Sequence, residues 1–319
     1  MASRFCATDA PRMPVDAPLQ GLTVLERGWL SSNNILLHGA PGEGAVLVDS
    51  GHCVHAAQTL ALVDHARQGE TLRLLVNTHL HSDHCGGNAR LQQAHAVPVR
   101  VPPGQAEAAR AWDETALSYQ PTGQRCERFA VHGVLQPGTA LTVGSAIWQV
   151  IAAPGHDPHS VMLFEPEQGV LLSADALWEN GFGVVFPELE GESAFDDVAA
   201  VLDLIERLPV RRVVPGHGAA FGDVKTALQR ARQRLAAFRA DPARHARHAA
   251  KVLVKYHLME VGRQRHADLL RWAEATPLMA STQQTARDRG SLPDWSEQLV
   301  AELLASGALR QVDDWVLDA

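Results

Sequence analysis

The chain has 319 residues, longer than one average domain and long enough to bury a large core. Its 28 Lys and Arg against 36 Asp and Glu leave a formal charge of −8, which argues against a protein held on nucleic acid or anionic lipid by bulk electrostatics. Cys6, Cys53, Cys85 and Cys126 form no CxxC pair or tight framework and read as reduced thiols, while Met1 to Gln20 lacks an apolar signal core, so a cytoplasmic protein without a membrane span is expected.

Taken in chain order, Leu22–Leu25 and Asn34–Leu37 read as the first strands, and Ala45–Val48 as a third that ends in Asp49. Ala56–Arg67 reads as a helix. The apolar run Thr71–Asn77 reads as a buried strand opening into Thr78-His79-Leu80-His81-Ser82-Asp83-His84, and Gly86-Gly87-Asn88 follows like a helix entry. Imidazole and carboxylate are ligands of borderline divalent metals such as zinc, so this segment reads as a metal-binding loop. In extended chain His79 and His81 point to the same side and can share one metal, whereas Asp83 and His84 lie past the turn and can face a second.

Gln105–Leu117 is a second helix candidate, followed by a Gly/Pro-rich stretch from Pro121 to Gly138. Three more strand-like runs then end in ligand-type residues. Ala146–Ile151 leads to Pro154-Gly155-His156, Val170–Leu172 to Ser173-Ala174-Asp175, and Arg212–Val214 to Pro215-Gly216-His217-Gly218. Between the last two, Phe195–Leu208 is amphipathic, with Val198, Val201, Leu202 and Ile205 on one stripe.

As an ordered set, these motifs, together with Val48-Asp49-Ser50-Gly51, resemble those of the metallo-β-lactamase-fold hydrolases, glyoxalase II-like enzymes among them. The resemblance covers roughly residues 20–222. It implies a four-layer αββα sandwich with the site at one edge between two sheets. It further implies His79, His81 and His156 on a first metal, Asp83, His84 and His217 on a second, and Asp175 bridging them. Zinc is the expected metal, with iron or manganese as alternatives. Cys85, beside His84, is a further candidate ligand but reads better as a small residue under the loop, since the implied set already fills both sites.

After His217 the character changes. Val224, Leu228, Leu235 and Phe238 keep helical spacing, Ala240-Asp241-Pro242-Ala243 punctuates, and helix candidates follow at Ala249–Met259, Arg265–Ala275 and Trp295–Ala305. Gly307 to Leu317 reads as two short strands about an Asp313-Asp314 turn. The expected division is therefore a catalytic domain over 1–222 and a helical unit over 223–319, whose helices-then-hairpin order resembles a winged-helix tail on some proteins of this fold.

The expected chemistry is hydrolysis by a metal-bound hydroxide, since a pair of zinc ions lowers the pKa of water to roughly 7. Asp83 and Asp175 are the candidate catalytic carboxylates. An imidazole at His81 favours hydrolysis, because diiron reductases of this fold carry a carboxylate there. Trp29, Trp178 and Phe182 are candidate pocket walls for a partly apolar small-molecule ester, thioester or lactone. His159 is a candidate substrate contact, weighed against a polar surface turn. Alternatives from other classes are an endoribonuclease using the basic residues of the tail (Arg230, Arg232 and Arg234 among them), a mononuclear iron sulfur dioxygenase, and a non-catalytic metal-bearing sensor. A homodimer is also compatible with the apolar stripe of the tail.

Overall fold

The computed structural model describes residues 19–319; Cys6 and most of the Met1–Gln20 segment lie outside the described residues. Its first sheet holds β1 (Leu22–Leu25), β2 (Asn34–Leu37), β3 (Ala45–Val48), β4 (Leu72–Val76), β5 (Val99–Val101) and β6 (Gly133–Val134) in sequence order. β1, β2 and β3 pair antiparallel, and β3 to β6 run parallel. The second sheet holds β7 (Ala140–Val143), β8 (Ala146–Ala152), β9 (Val161–Glu165), β10 (Val170–Ala174) and β11 (Arg212–Pro215), antiparallel except for the β10–β11 pair.

Both faces of each sheet are covered, which is why the central strands read as continuous apolar runs. Alternation sends Val46, Val48, Leu74 and Val76 inward to meet Val150, Leu163, Leu172 and Val214 between the sheets. On the outer face of the first sheet, Leu36, Leu47 and Leu75 pack with Val63 of α1 (Ala56–Ala66) and with Leu91. Three short helices follow the metal-type loop and its surroundings: α2 (Ser82–Cys85), α3 (Asn88–His95, which carries Leu91) and α4 (Ala106–Ala111); α5 (Tyr119–Thr122) comes next. Over the second sheet, Phe164, Leu171 and Val213 pack with Val198, Val201, Leu202 and Ile205 of α6 (Phe195–Arg207). The same layer buries Leu228, Leu235 and Phe238 of α7 (Val224–Ala240), with Val224 partly buried beside them. The layers are α, β, β, α.

Beyond α7 come α8 (Pro242–Val261), β12 (Arg263–Arg265), α9 (His266–Ala275), α10 (Pro277–Thr285), α11 (Leu292–Ala305), β13 (Leu309–Val312) and β14 (Trp315–Asp318). The three strands form a small antiparallel sheet in the order β12-β14-β13. Leu253, Val254, Leu258, Leu269, Trp295, Leu299 and Val316 make a core of their own, which also takes in Val184 and Leu189 from the preceding part of the chain. No helix among the described residues is long and apolar enough to cross a membrane.

Two sequence expectations are corrected. The helix expected over Gln105–Leu117 stops at Ala111, because Trp112 takes a left-handed conformation (φ 61°) and Asp113 Oδ1 captures the amides of Thr115 and Ala116 at 3.1 Å each. The basic residues of the tail that an endoribonuclease would use are not all free. Arg232 pairs with Asp203 and Glu206 of α6, Arg239 with Asp196, Arg247 and Lys251 with Glu302, and Lys255 with Asp318. These five cations are thus neutralised by acids distant in sequence.

α8 also buries His245, whose Nε2 accepts a hydrogen bond from the Val185 amide at 3.1 Å. Burial, then the neighbouring His248 and Arg234, lowers its pKa from 6.5 to about 3. Below pH 6.5 the unfolded chain therefore takes up a proton that the native imidazole refuses. The stability contributed is complete above pH 6.5 and is lost as pH falls toward about 3. Calorimetry should find a shallower acid-side fall in Tm for His245→Gln, whose amide oxygen can still accept from Val185. Identical slopes would mean that the native imidazole protonates freely.

Candidate metal centre

β3, β4, β8, β10 and β11 all deliver their C-terminal ends to one edge of the sandwich. β3 and β4 are parallel, β10 and β11 are parallel, and β8 runs with β10 because β9 lies antiparallel between them. Those ends are followed by Asp49, by the loop starting at Thr78, by His156, by Asp175 and by His217. His81 is extended (φ −64°, ψ 149°) and serves as the N-cap of α2, so His79 and His81 share one side while the helical turn re-aims Asp83 and His84.

The result is two donor groups. His79, His81 and His156 form one; Asp83, His84, Asp175 and His217 form the other; within each group one donor atom per residue lies within 4.8 Å of the rest. In the first, His81 Nδ1 and His156 Nε2 are 2.8 Å apart. In the second, His217 Nε2 is 3.0 Å from Asp83 Oδ2. The Asp175 carboxylate divides its oxygens: Oδ2 is 3.3 Å from His156 Nε2, and Oδ1 is 3.5 Å from His84 Nε2. His79 Nε2 and His84 Nε2 are buried without a hydrogen-bond partner. Orphaned imidazole nitrogens beside ionised carboxylates suit divalent cations of the zinc type, so the residues present fit such ions.

Charge follows the same pattern. Burial, reinforced by neighbouring imidazoles, holds His79 well below the ordinary histidine range and His81 at about 4, leaving neutral rings with free lone pairs. Burial alone would raise Asp83 and Asp175, but His84, His217 and, for Asp175, His156 outweigh it and keep both below the usual carboxylate range. Burial would likewise lower His84, but Asp175, Asp49 and Asp83 raise it.

Further hydrogen bonds set the geometry. Asp49 sits at φ 59° at the end of β3 and accepts from the Thr78 amide and hydroxyl at 2.8 Å each, and its Oδ2 lies 2.7 Å from His84 Nδ1. Nε2 of His84 is thereby aimed at the second group. His156 Nδ1 donates to the Val184 carbonyl at 2.5 Å. Asn33 ties the two sheets together: its amide donates to Gly216 O at 2.6 Å, and its side chain donates to the carbonyls of Pro215 and Gly218. Gly216 is obligatory, since a Cβ there would lie 2.1 Å from Asp175 Oδ1.

A pocket of ≈350 Å³ opens over both groups. Trp29, 55% exposed, stacks on His217 with ring centroids 5.6 Å apart, and Trp178 donates through Nε1 to Asp175 Oδ1 at 3.2 Å. Phe182 lines the pocket from a buried position. His159 does not: the Asp157 carboxylate binds its amide at 2.7 Å, and the turn leaves the side chain exposed beside Gly104, outside the pocket wall. Cys85 is likewise no ligand; its Sγ lies 3.1 Å from Tyr119 Oη and 3.7 Å from Cys126 Sγ beneath the loop. Sequence reasoning missed Phe186, whose ring is 4.8 Å from that of His81, and the contributions of α8. From α8 come His248, Val252, Leu253 and Tyr256, the last donating to Asp83 Oδ2 at 3.4 Å. Tyr256 carried no local signal; only its polarity inside an apolar helical stripe sets it apart.

The model of the Metallo-beta-lactamase superfamily matches residues 27–217. Human acyl-coenzyme A thioesterase MBLAC2 is 26% identical over 159 residues, 47% of this chain and 57% of the relative. Hydroxyacylglutathione hydrolase of Synechococcus sp. (strain JA-3-3Ab) is 29% identical over 209 residues, 65% of this chain and 72% of the relative. The chain thus spans little more than half the length of the human thioesterase. Among solved structures, the metallo-beta-lactamase family protein TTHA1429 from Thermus thermophilus superposes with a TM-score of 0.55 at 22% identity, over 94% of this chain and 99% of that one. BLEG-1 B3 metallo-beta-lactamase gives 0.54 at 24% identity over 65% of this chain and 96% of its own. With the family model matched over more than half of its residues and the same architecture in solved relatives, the chain belongs to the metallo-beta-lactamase superfamily.

Proposed function

We propose that the chain is a dinuclear metal-dependent hydrolase of small acyl thioesters. The observation that carries this reading is the divided carboxylate of Asp175, one oxygen toward each donor group. In this reading His79, His81 and His156 hold one ion, Asp83, His84 and His217 hold the other, and Asp175 is shared; zinc is the metal best suited to the donor set. The ions, when bound, supply Lewis acidity and an ionised water at neutral pH. A thioester is preferred over an ester or lactone because the named relatives act on acyl-coenzyme A and hydroxyacylglutathione.

The chain's own residues do the rest. Asp83 Oδ2 lies 3.0 Å from His217 Nε2 and 3.4 Å from Tyr256 Oη, where, as an ionised acceptor, it would orient the attacking water. Burial, with Asp83 and Asp175 nearby, keeps the Tyr256 phenol protonated far above neutral pH, so it serves as a donor to oxygen charge developing on the acyl group. Trp29, Trp178, Phe182 and Phe186 exclude bulk water and hold the acyl chain. The proposed division places the catalytic domain with all seven metal donors in 1–222 and assigns 223–319 to a winged-helix-like unit, supported by the element order from α8 to β14, that closes the pocket and lends it Tyr256. The cysteines, unpaired at Cys53, Cys85 and Cys126, suit a cytoplasmic setting. The RNA-cleaving alternative loses support because Arg232, one of the three arginines it would use, is held by Asp203 and Glu206, and Arg239 and Arg247 are held by Asp196 and Glu302. The single-iron alternative would leave one complete donor group unused.

Metal analysis of reloaded protein should approach two equivalents, and thiol release from acyl thioesters should depend on them. Saturation at one iron, with oxygen uptake on persulfides, would reverse the assignment. Asp83→Ala should cut turnover on the order of 100-fold while the first donor group still retains its ion. Asp175→Ala should reduce occupancy of both sites; two equivalents and full activity in that variant would refute the bridge.

Tyr256→Phe should lower kcat on the order of 100-fold with metal content unchanged. A change confined to KM would instead make Tyr256 a wall of the pocket.

A further inference from the structure

While Arg232, Arg239, Arg247, Lys251 and Lys255 are paired with carboxylates, three other arginines of α7 and α8 lie together. Arg230 and Arg234 of α7 and Arg244 of α8 line an open cleft of ≈470 Å³, with Gln233, Phe238 and His248. None of the three guanidinium groups forms an ion pair among the described residues. Arg234 Nη2 donates to His248 Nε2 at 2.6 Å, and its guanidinium lies 5.4 Å from the Phe238 ring centroid and 5.7 Å from that of Phe182. Arg230 Nη1 donates to the Glu179 carbonyl at 3.3 Å, a neutral acceptor. Gly181 makes room for this arrangement, since a Cβ there would lie 2.8 Å from Arg234 Nη1.

Arg234 and His248 also line the metal pocket, so cleft and pocket share a wall. The half-buried guanidinium of Arg234 is costly to hold without a counter-ion, and the exposed guanidinium groups of Arg230 and Arg244 beside it make the cleft cationic. Guanidinium forks bind phosphate and carboxylate alike. Here none of the lining side chains is acidic, so the cleft offers nothing to the ammonium of a peptide-type thiol.

We propose that this cleft seats the phosphates of a nucleotide-bearing thiol, so that the neighbouring pocket hydrolyses acyl thioesters of that class. The inference rests on the thioesterase reading above and extends it from the acyl half to the leaving group. In the reaction a C–O bond from water forms and the C–S bond breaks. One proton of water leaves on the thiol, and the other is released as the acid ionises.

The test uses the metal-loaded full chain and one acyl group carried on coenzyme A, on glutathione or on N-acetylcysteamine, which has no anionic group. Arg230→Ala/Arg244→Ala alters exposed side chains only. It should lower the ratio of kcat/KM for the coenzyme A thioester to that for the N-acetylcysteamine thioester at least about tenfold, chiefly through KM, and weaken the salt dependence of that ratio. Calorimetry with ADP, which has phosphates but no thiol to reach the metals, provides a readout independent of turnover; the wild type should bind it and the double variant should bind at least about tenfold more weakly. If all three thioesters are cleaved with an unchanged ratio and ADP does not bind, the cleft proposal fails while the thioesterase reading stands. If no thioester is cleaved but ADP binds through these arginines, the anion site stands and the thioesterase reading fails. A preference for the glutathione thioester that the double variant abolishes would overturn the phosphate assignment. Salt-sensitive RNA binding tighter than ADP binding, and lost in the same variant, would overturn the small-molecule assignment.

Discussion

Burying ionisable side chains at one edge of the sandwich is the constraint on which the rest of the structure depends. Asp83, His84, Asp175 and His217, with His79, His81 and His156, are all nearly inaccessible to water. Each buried charge costs several kcal/mol unless it is paired, and an imidazole nitrogen with no partner is nearly as unwelcome. Divalent cations resolve both problems at once, because they need lone pairs and negative charge in the same small volume. Seen this way, the surrounding details are requirements of one arrangement. Asp49 aims His84, Val184 aims His156, Gly216 leaves space for Asp175, and Asn33 holds the loops of one sheet against those of the other.

The chain after His217 is part of the same solution. α7 covers the second sheet with Leu228, Leu235 and Phe238, which would otherwise be an exposed apolar face. α8 then crosses the mouth of the pocket and supplies Tyr256, Val252 and Leu253. A sandwich edge alone would leave the donor groups open to solvent. Covering it narrows access and raises the local electrostatic strength of every polar group inside.

How much of this was legible from sequence depended on whether the signal was local. The donor residues stood out because each follows an apolar strand and because imidazoles and carboxylates are rare at such density; the structure brings all seven together. β1 to β4, β8, β10, β11, the terminal hairpin and the amphipathic α6 were readable from periodicity, whereas β5, β6, β7 and β9 were not read as strands. What failed was decided at a distance. Trp112, where α4 ends, also packs its ring against Tyr119 and Phe129, from later in the chain. The Arg263–Arg265 strand has no apolar alternation, and its arginines stack instead on Trp315 of the partner strand, 4.8 and 5.4 Å from the ring. α10 begins at a proline in a polar stretch and reveals itself only by burying Leu278 and Met279. Phe186 and Tyr256 lay in segments with no motif.

Charge shows the difference between composition and placement most clearly. A net charge of −8 argues against broad attraction to polyanions. It says little about one small anion, because exposed charges farther than about 8–10 Å are screened at physiological ionic strength. What a ligand meets is the local residue of pairing. Arg232, Arg239 and Arg247 are matched to carboxylates of α6 or α11 or to the residues beside them, whereas Arg230, Arg234 and Arg244 are not. An acidic protein can therefore present a cationic cleft beside its metal-type centre. The cleft owes its sign to the acids that the fold directs elsewhere.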